Sequence, residues 1–423
     1  MENKLKVVHI SSTDVLGGAA IACLNISSSL SSAGIDSVVL VQKKYKEMSN
    51  STEFSDTFFK KITFFIRFFC DYLSIYLLTV KRRGRFSFPY FGTEITGHPL
   101  VKQADIIHLH WINGGFFSLK TFGKLAKLNK PVVWTLHDMW AFTGGCHYSG
   151  GCRNYLAGCG NCPALKFPGR KDMSVKIFNG KERSYKRLKL NMVTCSNWLA
   201  GEVKSSFLLK DCRVKAIPNP IDTNVFKPMN KSSAAAELSL SPDKTYILFG
   251  TMTLKEERKG FLFLREGLRI LYRKYPEIRE STEILVFGAV HNEQDFDMHF
   301  KTHFLGRIAG TGKLVCCYNA ADVFVAPSLE DNLPNTVMES LSCGVPVAAF
   351  NIGGMSDMID HKKNGYLAEP KSAESLADGV FWILNKIKES NELKIESRRK
   401  VTDNFTPEIV GKKYLEFYEK ILQ

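Results

Sequence analysis

A chain of 423 residues rules out one ordinary core, so two large domains with connecting elements are expected. Its 44% hydrophobic and 23% charged residues place it among soluble globular proteins. The 57 Lys+Arg against 42 Asp+Glu leave a net charge of +15, which favours an anionic partner: nucleic acid, an acidic membrane surface or a phosphorylated ligand.

The start, "MENKLKVVHISS", has only a short apolar run before Ser11, Ser12 and Asp14. It lacks the apolar core and cleavage site of a signal peptide, so a cytoplasmic setting with reduced thiols is expected. "LKVVHIS" reads as a buried parallel strand, "DVLGGAAIACLNISSSLSSAG" as a Gly-rich turn entering a helix, and "DSVVLVQ" as the next strand. An aromatic insert at about 54–90 follows. Within it Phe58, Ile62, Phe65, Phe69, Tyr72 and Tyr76 recur at steps of four and three, one helical face, and Lys81, Arg82, Arg83 and Arg85 come after. Lys60, Lys61, Arg67 and Asp71 interrupt any uncharged run of about 18 residues, so the helix does not read as transmembrane. Two placements fit the stripe: a helix lying in the interface of an anionic leaflet, or one buried against its own domain.

Further on, the apolar runs in "ADIIHLHW", "KPVVWTLHD" and "LNMVTCS" alternate with helical or irregular sequence, the pattern of an open doubly wound α/β sheet. "VKAIPNPIDTNVFKP", 214–228, carries three prolines and no helical period and reads as a hinge. A second α/β series follows in "TYILFGTM", "STEILVFGAV", "THFLG", "ADVFVAPS" and "GVPVAAFN", and "TPEIVGKKYLEFYEKIL" is an amphipathic helix. Two sheets of one type joined by one linker predict a ligand cleft at the carboxyl ends of their strands.

The stretch "APSLEDNLPNTVMESLSCGVPVAAFNIGG", 326–354, carries the most chemistry. A strand ends at Pro327, a turn bears Glu330, Asp331 and Asn332, and Pro334 to Thr336 open a helix with Glu339 one turn in. A helix start offers backbone N–H groups to an anion or hydroxyl, and two carboxylates eight residues apart can accept hydrogen bonds from sugar or ribose hydroxyls. The plainer reading makes Asp331 or Asn332 a helix cap and Glu339 a solvated side chain.

The same stretch resembles the nucleotide-sugar site of the family-four retaining glycosyltransferases, whose pattern is Glu, seven residues, Glu, then Cys-Gly and Pro-Val. Here Glu339 with "SCGVPV" behind it matches the second position, and Asp331 stands in the first. "STDVLGGAA" resembles that family's N-terminal Gly-rich loop, "IPNPID" its hinge with Pro220 in place of glycine, "ERKGF" its Lys-Gly element, and "FLGRI" the segment over the nucleotide base. The resemblance covers nearly the whole chain. It implies GT-B architecture: two Rossmann-like doubly wound α/β domains facing each other across a cleft. Residues 1–217 would bind the acceptor and 218–403 the nucleotide sugar, while the helix 404–423 would cross back to the N-terminal domain.

It also implies roles. Asp331 faces the donor sugar, the backbone of Asn332, Leu333, Asn335 and Thr336 holds its hydroxyls, Glu339 grips the ribose, and Lys259 neutralises the diphosphate. Gly17 and Gly18 let backbone approach the donor or acceptor, Arg307 with Ile308 lies beside the base, and His137, at a strand end in "WTLHDMW", contacts the transferring sugar. An arginine that often follows the strand glycine in this family is replaced by Thr251, with Arg258 or Lys255 as substitutes. Asp138 either orients His137 or serves the acceptor. With no Asp-x-Asp at a strand end, cations and helix N-termini rather than a metal cofactor are expected to carry the leaving charge.

The partners so implied are a nucleotide-diphosphate sugar and a saccharide or lipid-linked acceptor at the inner face of a membrane, in bacterial surface polysaccharide assembly. Nucleic acid is not expected, since no zinc finger, RNP motif or basic helix-turn-helix stands in the chain. A nucleotide-sugar epimerase, a phosphorylase and a basic membrane-bound protein without catalysis are the competing readings.

The loop "GGCHYSGGCRNYLAGCGNCP", 144–163, packs Cys146, Cys152, Cys159 and Cys162 into seventeen positions. Only the last pair has Cys-x-x-Cys spacing. A structural zinc, with His147 as a substitute ligand, reduced free thiols, and a disulfide or redox role are the three readings.

Overall fold

The computed structural model describes residues 4–47, 50–80, 86–253, 256–289 and 299–423. The basic run Lys81, Arg82, Arg83 and Arg85, and Lys255, lie outside the described residues. The chain divides into two units, Met1–Pro220 with Pro407–Gln423, and Ile221–Thr406.

In the first unit seven strands pair in parallel: β1 (Lys6–Thr13), β2 (Asp36–Lys43), β3 (Thr52–Glu53), β4 (Ile106–Leu109), β5 (Val132–Leu136), β6 (Leu190–Thr194) and β7 (Arg213–Ala216). Their order is β3-β2-β1-β4-β5-β6-β7. The central strands β4 and β5 are buried throughout, as a parallel sheet covered on both faces requires. Helices α1 (Gly18–Ser32), α2 (Phe58–Leu78), α3 (Pro99–Gln103), α4 (Leu119–Ala126), α5 (Met173–Tyr185) and α6 (Asn197–Ser205) connect them. Strand order reverses between β1 and β4, the switch point where such sheets open a crevice at their carboxyl ends. Part of the expected hinge proves structured: residues 213–216 form β7, a four-residue edge strand too short to show a period.

The C-terminal helix, Pro407–Leu422, belongs to this unit. Val410, Tyr414, Phe417 and Tyr418 share its buried face and pack with Val7, Ile26, Leu30 and Ile106. Gly411 allows close approach: a Cβ there would meet the Ser29 carbonyl oxygen at 2.8 Å. The Tyr418 hydroxyl bonds Nδ1 of buried His108 at 2.6 Å, and His108 Nε2 meets the Thr135 hydroxyl at 2.7 Å.

The second unit holds a six-stranded parallel sheet of β8 (Thr245–Thr253), β9 (Thr282–Ala289), β10 (Thr302–Gly306), β11 (Val323–Ala326), β12 (Val347–Phe350) and β13 (Gly365–Ala368). The order β10-β9-β8-β11-β12-β13 reverses between β8 and β11. Its helices are α7 (Lys231–Glu237), α8 (Phe261–Lys274), α9 (Thr311–Ala320), α10 (Asn335–Ser342), α11 (Met355–Met358), α12 (Ala373–Glu389) and α13 (Glu392–Thr402). Leu264, Leu268 and Leu271 of α8 and Leu376, Val380 and Ile383 of α12 cover the strand residues Ile247, Phe249, Ile284 and Val325.

Candidate active site

In the second unit the residues singled out on β11 and the turn after it gather at the switch point. The chain leaves β8, makes a 3₁₀ turn at Glu257–Lys259 and starts α8 at Gly260, which is left-handed at φ 72°. A Cβ on Gly260 would lie 1.8 Å from the Pro327 carbonyl oxygen, so only glycine lets this turn sit against the end of β11. The Leu329 N–H donates to the Arg258 carbonyl at 2.7 Å, tying the two loops together.

That contact places both cations on one carboxylate. Lys259 Nζ donates to Asp331 Oδ2 at 2.6 Å, and Arg258 Nη1 lies 3.2 Å from the same oxygen. Arg258 also donates to the Glu330 carbonyl at 2.6 Å and to Glu256 Oε1 at 2.9 Å. The Ser328 hydroxyl and the Asn332 N–H reach Asp331 at 3.3 and 3.2 Å. Burial opposes charge on Asp331, but the Lys259 ammonium and Arg258 guanidinium outweigh it and hold the carboxyl below its usual range. Gly353 backs this loop at φ 53°, where a Cβ would meet the Asp331 carbonyl oxygen at 1.8 Å.

Asn332 and Leu333 are buried beside Asp331, and Asn335 and Thr336 open α10, whose start carries no side-chain cap. Glu339 sits one turn further on. Its Oε2 accepts the hydroxyl of Tyr318 from α9 at 2.7 Å, and burial pushes its carboxyl up to about 7. The structure therefore brings Lys259, Arg258 and Asp331 into one ion-paired group and puts Glu339 in another hydrogen-bonded pair. Neither the cap nor the solvated surface of the plainer reading describes these carboxylates. Arg307 is exposed, directly after the edge strand β10. Thr251 is buried within β8.

Gly17 and Gly18 are in the first unit. Gly17, at φ 92° and ψ 165°, caps α1 directly after β1, and nothing lies within 4 Å of where its Cβ would be. Also in this unit, His137 follows β5, half-buried, with Nε2 at 3.3 Å from Nδ1 of His110 and Nδ1 at 3.5 Å from the Cys195 thiol. His110 in turn meets His9 Nδ1 at 2.9 Å. Burial lowers His137 to about 4 and His9 to about 3, so the line of imidazoles is neutral at neutral pH. Both ring nitrogens of His137 are engaged, by His110 and Cys195, so a sugar hydroxyl would have to displace one of these two long contacts to bond the neutral ring.

Asp138 has a different partner. Its Oδ2 meets His147 Nδ1 at 2.7 Å and its Oδ1 accepts the Trp140 N–H at 2.8 Å, while His147 Nε2 meets the Ser87 hydroxyl at 2.9 Å. With both ring nitrogens engaged, His147 is not positioned as a substitute metal ligand.

Cys146, Cys152, Cys159 and Cys162 are all free thiols. Among the described residues the one group of three ligand-bearing side chains within 4.8 Å of one another is His9, Cys23 and His110, so no three of the four loop sulfurs converge that closely. His9 and His110 spend the facing nitrogens on each other. The loop sulfurs nonetheless accept backbone N–H groups: Gly144 donates to Cys159 at 3.1 Å, and Ala164 and Leu165 to Cys162.

Sequence reasoning missed Tyr318, Ser328 and the line His9–His110–Cys195. The alternation in "HLHW" puts His108 on β4 and His110, just past its end, on the same side and was the available signal for that line; Tyr318 lies 21 residues before Glu339 and had none.

With these geometries in view, a family model described as Glycosyltransferase Family 4 matches residues 16–225, and one described as Glycosyl transferases group 1 matches 245–386. The chain belongs to the family-four glycosyltransferases and has their GT-B fold; it is a glycosyltransferase, which sets aside the epimerase, phosphorylase and non-enzymatic readings. Its relatives include the colanic acid biosynthesis glycosyl transferase WcaC of Escherichia coli, 27% identical over 322 residues, 70% of this chain and 73% of that one. A D-inositol 3-phosphate glycosyltransferase of Arthrobacter is 24% identical over 65% of this chain and 61% of its own. Among solved structures, a glycosyltransferase of Rickettsia africae superposes with a TM-score of 0.64 at 16% identity, covering 100% of this chain and 99% of that one. HepE of Anabaena, solved with UDP-glucose, gives 0.63 at 14% identity over 98% and 100%.

Proposed function

We propose that this glycosyltransferase moves a sugar, with retention of anomeric configuration, from a nucleoside diphosphate donor to a saccharide acceptor on a lipid carrier. The setting is surface polysaccharide assembly at the inner face of the cell membrane. The observation that carries the donor half is the pairing of Lys259 and Arg258 with Asp331 at the β8/β11 switch point. Two cations that already hold a carboxylate there offer the charge a departing diphosphate needs, and the reading requires no metal for that step. Asp331 then keeps the cations placed while facing the donor sugar, Glu339 accepts ribose hydroxyls, and neutral His137 binds the sugar being transferred. The acceptor oxygen attacks the anomeric carbon on the face the nucleotide leaves. HepE's complex with UDP-glucose supports a UDP-sugar donor, and WcaC's name supports the polysaccharide setting. The test is a panel of nucleotide sugars, read first by thermal shift and then by hydrolysis and transfer. At least one donor is expected to raise the melting temperature and be consumed; a panel without binding or turnover would overturn the reading.

We also propose that the cysteine loop is closed by a structural zinc. Burial pushes the Cys146 and Cys159 thiols up to about 12 and raises Cys162, and the backbone N–H groups aimed at Cys159 and Cys162 oppose that rise. A zinc ion would supply the positive charge that thiolates need here, since burial lowers the nearby Lys181 to about 7. Binding would draw the four sulfurs inward to the roughly 2.3 Å Zn–S distance. Metal analysis of protein purified without chelator should give one zinc per chain, halved or worse in Cys152→Ser; four readily titrated thiols and no zinc would leave the loop a set of reduced cysteines.

A further inference from the structure

The helix α2 is turned inside out for a protein surface. Of its residues, Asp71 alone is buried, at 4% exposure, and the half-buried Lys60, Phe64, Arg67, Ser74 and Leu78 lie on the same inward face at steps of three and four. A Cβ on Gly115 would come 2.9 Å from the Arg67 carbonyl oxygen, which fixes how closely the helix is seated. Arg67, Asp71 and Ser74 therefore face the protein, together with Phe64, Ile75 and Leu78. Asp71 Oδ1 and Arg67 Nε are buried there without a hydrogen-bond partner among the described residues.

The stripe seen in the sequence faces the other way. Phe58, Ile62, Phe65, Phe69, Tyr72 and Tyr76 are between 42% and 72% exposed, and five more large apolar side chains of the helix are also exposed. A stretch of 21 residues makes this face about 31 Å long. Exposed apolar surface on that scale marks a contact surface, and the buried-helix placement is the one the structure overturns. Among the described residues no helix is long and apolar enough to cross a membrane.

Charge decides the occupant. The one carboxylate on α2 is the inward Asp71, and Asp56 just before it is paired with Lys60. The rim is basic: Lys61 is exposed, and Lys166 lies 5.6 Å from the Tyr76 ring beside Phe167, itself 75% exposed. A second copy of this chain, at a net charge of +15, would bring the same cations against each other. An anionic lipid surface meets both the aromatic face and its basic rim.

We infer that α2 lies in the plane of an anionic leaflet, with its aromatic face inserted among the acyl chains and Lys61 and Lys166 on the headgroups. This extends the membrane setting proposed above and is read without donor or acceptor, so its failure leaves the transferase reading standing. The experiment floats the full-length protein on phosphatidylcholine vesicles with and without 30% phosphatidylglycerol, a composition of about one anionic lipid in three that gives a surface potential of the cellular kind. Wild-type protein is expected to float with the anionic vesicles and at least tenfold less with neutral ones. Phe58→Ser/Phe65→Ser/Phe69→Ser, exposed positions expected to leave the melting temperature unchanged, should lose at least tenfold in binding, and Lys61→Glu/Lys166→Glu should lose most of the preference for anionic lipid. Protein that stays unbound, or a triple variant that floats as wild type, would overturn the inference. So would a dimer in solution that the triple variant dissociates, which would assign the face to a second copy.

Discussion

Lys259→Ala is expected to lower kcat/KM for the cognate nucleotide sugar by about 10²–10³-fold, the loss that follows removal of one preorganised group from developing charge. The lysine sits on Asp331 at 2.6 Å, so its position is set before donor arrives and no reorganisation is needed when the diphosphate departs. Arg258 keeps Asp331 paired in the variant, so the fold should survive with a melting temperature within a few degrees of wild type. Assayed above pH 7, where the carboxyl raised to about 7 is ionised, Glu339→Ala should cost a similar factor through donor binding, since hydrogen bonds to a charged acceptor contribute about 1.5–3 kcal/mol each. It also strands the buried Tyr318 hydroxyl, so Glu339→Gln, which keeps an acceptor for Tyr318, separates the loss of charge from loss of packing. Steady-state kinetics with circular dichroism on the three variants checks this. Full activity in both alanine variants would remove the second unit's carboxylate and lysine from the mechanism.

Deleting residues 407–423 is expected to have the largest effect on stability. Val410, Tyr414, Phe417 and Tyr418 are 5% exposed or less, and burying each contributes roughly 1.5–3 kcal/mol. Their sum is comparable to the whole stability of an ordinary domain, about 5–15 kcal/mol. The truncated chain should therefore be insoluble or lose its cooperative melt, and its first unit should be cut rapidly by protease. Tyr418→Phe keeps the ring but removes the hydroxyl from His108, so a loss of only about 1 kcal/mol is expected, visible as a melting shift of a few degrees. A truncated chain that melts as wild type would show that the helix is an appendage.

The strands that were legible are mostly the buried ones. β1, β2, β4, β5, β6, β8, β9, β11 and β12 appear as short apolar-rich runs because helices cover both faces of a parallel sheet, and each lies where its run predicts. The half-buried edge strand β10 was legible from "THFLG". The edge strands β3, β7 and β13 were not, being two to four residues long and only partly buried, so neither period nor apolar run marks them. The pairing of Asp331 with Lys259 spans 72 residues and exists because Gly260 lets one loop lie against the carbonyl of Pro327.

By itself, then, the sequence determined the alternation of strand and helix, the spacing of Asp331 and Glu339, and the aromatic stripe of α2, all of which are local patterns along one chain. Only the tertiary structure decided what each pattern meets. A stripe carries no record of what lies beneath it, and packing Arg67 and Asp71 inward turned Phe65 and Phe69 out. A cysteine spacing does not place sulfurs, and no three of the loop's four thiols lie within 4.8 Å of one another. Strand-end histidines do not name their partners, and the fold set His137 beside His110 and gave Asp138 to His147, because those side chains come together only when β4, β5 and the cysteine loop are assembled.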